Sequence, residues 1–133
     1  MKEREFSAST DCLQDVLSFV EQELQAADCP MRIMMQILVA VEEIFVNIAY
    51  YAYPEGGGKA MIRMEADEHE AVIRFLDMGI PFNPLEKPDP DITLPAEQRD
   101  AGGLGIFMVK KTMDSVLYQR EGQKNILILM KRY

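Results

Sequence analysis

The chain has 133 residues, 48% of them hydrophobic, and its 22 acidic residues outweigh 14 basic ones for a net charge of −8. That length suits one domain spanning residues 1–133 with one substantial core, and the negative balance argues against general affinity for nucleic acid or anionic membranes, whose phosphates need a basic patch. An acidic body suits a basic protein partner better.

Met1 to Glu5 is charged and no apolar run follows, so no signal peptide is expected at the start. Lys2 to Ser7 alternates weakly, as a short edge strand whose charged side chains guard against stray pairing. Ser9, Thr10 and Asp11 offer capping oxygens to a helix whose apolar face runs through Leu13, Val16, Leu17, Val20, Leu24 and Ala27. Cys12 and Cys29 lack metal-ligand spacing with His69, the only histidine, and read as the free thiols of a cytosolic protein.

Pro30 suits the first turn of a second helix, Met31 to Pro54, which Pro54 and Gly56-Gly57-Gly58 bring to a stop. Met34, Ile37, Leu38, Val41, Ile44, Phe45, Ile48 and Ala52 trace one face, and Met35, Val39, Val46 and Tyr50 make the back apolar too. A helix apolar nearly all round is expected to be packed on both sides. Its two glutamates and asparagine speak against a membrane span, since a charged residue there costs ~2.5 kcal/mol or more. Glu43, Asn47 and Tyr51 stand at successive i, i+4 steps and form one polar stripe beside the core face.

Ala60, Ile62, Met64 and Ala66 alternate with polar or exposed positions, and Ala71 to Leu76 follows after the polar turn Asp67 to Glu70, so the two segments read as a hairpin ending at Asp77. From Ile80 to Ala101 there is no periodicity, only five prolines among acidic residues, the composition of a lid or binding loop. Gly102-Gly103-Leu104-Gly105 then opens a helix running to about Asp114, followed by a hairpin of Ser115 to Glu121 and Lys124 to Lys131 around Gly122. The order strand, helix, helix, strand, strand, loop, helix, strand, strand fits an α+β domain, a mostly antiparallel sheet with helices on one face.

Three places have a physical reason to hold nucleotide. Glu43-x-x-x-Asn47 sets a carboxylate and a carboxamide one turn apart: the amide oxygen is a hard ligand suited to magnesium, and the carboxylate can accept a proton from an attacking hydroxyl. Asp77-x-Gly79 offers an acceptor for a purine amine beside a residue without a Cβ. The glycines at 102, 103 and 105 place unpaired N–H groups and a positive helix end where phosphates can sit. Each also has an ordinary reading: a solvated helix edge, a strand-ending turn, a loop exit. Met108 stands where a dinucleotide fingerprint needs its third glycine, and Lys110 and Lys111 lie too far along for a P-loop.

In this order the three places resemble the N, G1 and G2 boxes of the GHKL ATPase superfamily, shared by gyrase, heat-shock chaperones, histidine kinases and mismatch-repair proteins. The length and the segments GGLGIFMVKKTMD and VLYQREGQKNILILMKRY are similar to the anti-sigma regulatory factors, serine kinases of bacterial partner-switching systems. The resemblance implies the Bergerat, histidine-kinase-like ATPase fold, a two-layer α/β sandwich with a left-handed crossover. It implies ATP and Mg2+ as cofactors. The partners implied are a sigma factor and an anti-anti-sigma (STAS) protein whose serine accepts the phosphoryl group, with self-association of the chain. It makes Glu43 the catalytic base, Asn47 the magnesium ligand and Asp77 the reader of adenine, with Gly79, Gly103, Leu104 and Gly105 around the nucleotide. Kinases of this family often carry an arginine just before the G2 glycines to meet the γ-phosphate; here Ala101 and Gly102 fill those positions, and the nearest arginine, Arg99, is the nucleotide-binding candidate that would reach in from the lid. Two functions follow: a serine kinase that also sequesters a sigma factor, favoured by Glu43, and a nucleotide-gated binder that moves no phosphate, favoured by the missing arginine.

Overall fold

The structure is a computed structural model and describes residues 1–86 and 103–133. Arg99 and most of the Pro-rich segment expected to form a lid lie outside the described residues. Five strands form one antiparallel sheet: β1 (Lys2–Ser7), β2 (Lys59–Ala66), β3 (Glu70–Asp77), β4 (Ser115–Glu121) and β5 (Lys124–Arg132), in the order β1-β2-β3-β5-β4. Among the described residues three α-helices accompany them: α1 (Leu13–Ala26), α2 (Met31–Tyr51) and α3 (Gly103–Thr112).

Alternation decides what each strand buries. Ala60, Ile62 and Met64 of β2, Ala71, Ile73 and Phe75 of β3, and Leu127 and Leu129 of β5 are buried and stand in register, for Ile62 pairs Phe75 and Phe75 pairs Leu127. Onto this surface α1 lays Val16, Val20 and Leu24, and α2 lays Met34, Ile37, Val41, Ile44, Phe45 and Ile48. Each large side chain sealed there contributes roughly 1.5–3 kcal/mol of transfer free energy before the cost of ordering the chain.

The helix ends follow local chemistry. The Ser9 hydroxyl accepts from Asp11 N–H at the start of a short 3₁₀ turn, Thr10–Cys12, that leads into α1. Asp28 adopts φ 58°, turning the chain between α1 and α2, with Pro30 as the cap of α2. Beyond α2 the Tyr53 hydroxyl donates to the Lys59 carbonyl and accepts from Met78 N–H, tying the helix exit to the start of β2 and the end of β3.

One expectation is corrected. α2 is long and apolar enough to cross a membrane by length and composition, but it is packed on one side only: Met35, Val39 and Tyr50 are exposed. The sheet and the flanking helices cover its core face alone, and its apolar back forms part of the protein surface. The continuously apolar β5 is an interior strand, between β3 and β4.

Candidate functional site

Glu43 and Asn47 lie one turn apart on α2, both half-buried at the flank of the core stripe. Asn47 Nδ2 donates to the Glu43 main-chain oxygen at 2.8 Å. A carbonyl can only accept, so this bond fixes which end of the carboxamide is nitrogen and turns Oδ1 away from the helix backbone. Burial pushes the Glu43 carboxyl above the usual glutamate range, and the charge of neighbouring Glu42 adds to the effect. Tyr51, the third member of the stripe, is exposed and stacks on Phe82 with ring centroids 5.2 Å apart.

α3 brings the glycine box to this stripe. A Cβ built on Gly105 would overlap the Glu43 carboxylate, so the absence of a side chain at 105 is what allows α3 to lie against Glu43. Gly103 and Leu104 are the first residues of α3, whose opening N–H groups have no partner within the helix.

Asp77 closes β3 and is 5% exposed. Its Oδ1 accepts from Gly79 N–H at 2.9 Å and from Asn125 Nδ2 at 2.8 Å. With both bonds on one oxygen, Oδ2 is the acceptor that remains for a ligand. Asp77 and Asn47 line one cavity together with Ile44, Ile48, Phe75 and Phe82, an apolar slot with a carboxylate and a carboxamide in its wall. That lining has the chemistry to face a flat heterocycle bearing an amine, but at about 20 Å³ the cavity has room for about one water in this conformation, so a ring enters only if its walls part. Gly79 also permits a close approach to the backbone of Ala52 at the end of α2, where Ile80 N–H donates to the Ala52 carbonyl at 2.8 Å.

The structure therefore gathers Glu43, Asn47, Asp77, Gly79 and the α3 start around one end of the sheet. Sequence reasoning leaves out Asn125, Tyr118, Arg120 and Phe82. Asn125 carries a signal that alternation contains: it shares a face with Leu127 and Leu129, so it is a polar side chain in a core position. Among the described residues no three His, Cys, Asp or Glu side chains gather in metal-binding range. A single oriented amide oxygen at Asn47 nevertheless fits magnesium, which typically completes its shell with phosphate oxygens and water.

Residues 6–131 match the histidine kinase-like ATPase domain family. The serine-protein kinase RsbW of Bacillus thuringiensis (strain Al Hakam) is 29% identical over 99 residues, covering 71% of this chain and 61% of that protein. The serine-protein kinase RsbW of Bacillus mycoides (strain KBAB4) is 29% identical over 104 residues, covering 75% of this chain and 64% of its own length. The matching segment thus spans less than two thirds of these relatives. Among solved structures, the RsbU and RsbW domains of a Mycobacterium tuberculosis protein superpose with a TM-score of 0.64 at 12% identity, covering 99% of this chain and 32% of that one. The catalytic domain of histidine kinase ThkA gives a TM-score of 0.54 at 15% identity, covering 99% of this chain and 96% of that domain. At these identities the likeness is one of fold.

Proposed function

We propose, from the premise that this chain belongs to the histidine kinase-like ATPase domain family, that it is a cytoplasmic ATP-dependent anti-sigma factor that phosphorylates a serine of an anti-anti-sigma protein. The observation that carries the reading is the joint geometry of Glu43, Gly105 and Asn47: a desolvated carboxylate lies against the first turn of α3 and one helical turn from an oriented amide oxygen. In this reading the slot between α2 and β3 opens to admit the adenine, its amine donating to Asp77, and the phosphates run toward the N-terminus of α3.

Glu43 then has the role of general base. Its raised pKa brings the carboxylate closer to neutral pH and makes it a better proton acceptor than an exposed glutamate. It takes the proton of the acceptor serine as that hydroxyl oxygen attacks the γ-phosphorus and the bond to the β-phosphate oxygen breaks. In this reading Asn47 Oδ1 would hold magnesium, which when bound would supply positive charge against the phosphates; the Nδ2 bond to the Glu43 carbonyl supports that orientation. Sequestration of a sigma factor by the same chain rests on the resemblance of its motifs to the anti-sigma regulatory factors and suits the acidic composition.

The second reading, a nucleotide-gated binder, is favoured by Ala101 and Gly102 where kinases of this type often carry an arginine. Calorimetric titration with ATP separates the nucleotide claim from both: wild type binds in the presence of magnesium, and Asn47→Ala loses that magnesium-dependent part. Equal binding by the two proteins would remove Asn47 from the site.

A further inference from the structure

Asn125 is the buried junction between the second hairpin and the turn that carries Asp77. Its Nδ2 donates to Asp77 Oδ1 and to the Ile80 carbonyl, both at 2.8 Å. Its Oδ1 accepts from the Tyr118 hydroxyl and from Arg120 Nη1, the latter at 3.1 Å, with Phe82 N–H at 3.4 Å. Arg120 Nη1 also donates to the Gly79 carbonyl at 2.8 Å. Both amide hydrogens and the oxygen's acceptor capacity are used within the protein, so Asn125 has nothing left to offer a ligand directly. Its orientation is fixed from both ends, and it is only 4% exposed.

We propose that Asn125 is a positioning residue for base selection: it fixes the orientation of Asp77, with Oδ1 occupied and Oδ2 left to face the exocyclic amine of an adenine nucleotide. The inference rests on the nucleotide reading above and deepens it. Two donors converge on Asp77 Oδ1, Gly79 N–H and Asn125 Nδ2, and fix the plane and direction of the carboxylate. With Oδ1 taken by both donors, Oδ2 is the oxygen left to a ligand, and a carboxylate oxygen welcomes a 6-amino group and rejects a 6-oxo group. The same amide pins Ile80 and, through its oxygen, Phe82, so the wall of the slot and its polar reader are set by one side chain.

The test compares ATP with purine riboside triphosphate, which lacks only the 6-amino group, by calorimetry in magnesium buffer. Wild type is expected to favour ATP by roughly 10- to 100-fold, the range of a hydrogen bond to a charged buried acceptor. Asn125→Leu removes the amide at similar volume. It is expected to bring that ratio to within about threefold of unity while the deamino analogue binds as before, because Asp77 loses its orientation rather than the slot its shape. A structural role alone would weaken both nucleotides in parallel and leave the ratio intact, which would overturn the proposal. Arg120→Met, at a half-exposed site, serves where Asn125→Leu fails to fold: it frees Asn125 Oδ1 and the Gly79 carbonyl, and a ratio reduced by about threefold supports the network while an unchanged ratio contradicts it. A wild type that binds neither nucleotide would instead sink the nucleotide reading beneath it, and one that binds both equally would remove Asp77 as reader.

Discussion

Gly105 of α3 and Glu43 of α2 are packed so closely that a methyl group on the glycine would occupy the position of the Glu43 carboxylate. What such a group would meet is the far end of a flexible side chain, which can swing aside. Gly105→Ala is therefore expected to fold with a melting temperature near that of wild type while losing phosphoryl transfer, because the base is displaced. Gly79→Ala makes the contrast, since its Cβ would meet the Ala52 backbone, which cannot yield. A destabilisation of about 1–3 kcal/mol, typical of overpacking, is expected in denaturant unfolding, with Gly105→Ala well below it.

Asp77→Asn keeps an oxygen for Gly79 N–H and Asn125 Nδ2, so the fold is retained. The amide nitrogen then takes the place of Oδ2 and opposes the adenine amine, donor against donor. ATP affinity is expected to fall by about 1.5–3 kcal/mol, read by calorimetry. Unchanged affinity would take adenine reading away from Asp77.

On the proposed mechanism, the pH dependence of transfer follows from Glu43. Its carboxyl is held above the ordinary value of about 4.3, so as pH falls the base is protonated, and silenced, at a higher pH than a solvated glutamate would be. The acid limb of the rate profile is expected above the usual glutamate range. For stability the sign is opposite to that of a salt-bridged acid: the folded state holds the proton more tightly than the unfolded one, so stability declines as pH rises from the unfolded to the folded pKa. Glu43→Gln is accordingly expected to be at least as stable as wild type at neutral pH, by thermal unfolding.

Much of this was legible in the sequence because the signals are local. Period two marks the hairpins, period 3.6 marks α1 and the core face of α2, and i, i+4 spacing sets Glu43 beside Asn47. The openness of the α2 back was not, since Met35 and Val39 look identical to core residues until the neighbouring elements are placed. The function of Asn125 was hidden for the same reason: its two acceptors lie at residues 77 and 80, far away along the chain, and only the antiparallel pairing of β3 with β5 brings Asn125 opposite Asp77. Gly79 shows the limit from the other side, for the need for a residue without a Cβ beside Asp77 is visible in the sequence while the partner of the close approach, Ala52, comes from the packing of α2 on the sheet.

The most direct measurement is incubation of the protein with γ-labelled ATP, magnesium and the STAS protein encoded nearest to it, followed by mapping of the label. The account predicts label on a STAS serine with wild type, and transfer slowed by roughly 10²- to 10⁴-fold in Glu43→Ala at nearly unchanged ATP affinity. Absence of transfer to any STAS protein of the genome, together with ATP-dependent sigma-factor binding that Glu43→Ala leaves undisturbed, would contradict it and make this chain a nucleotide-gated binder with a structural carboxylate at position 43.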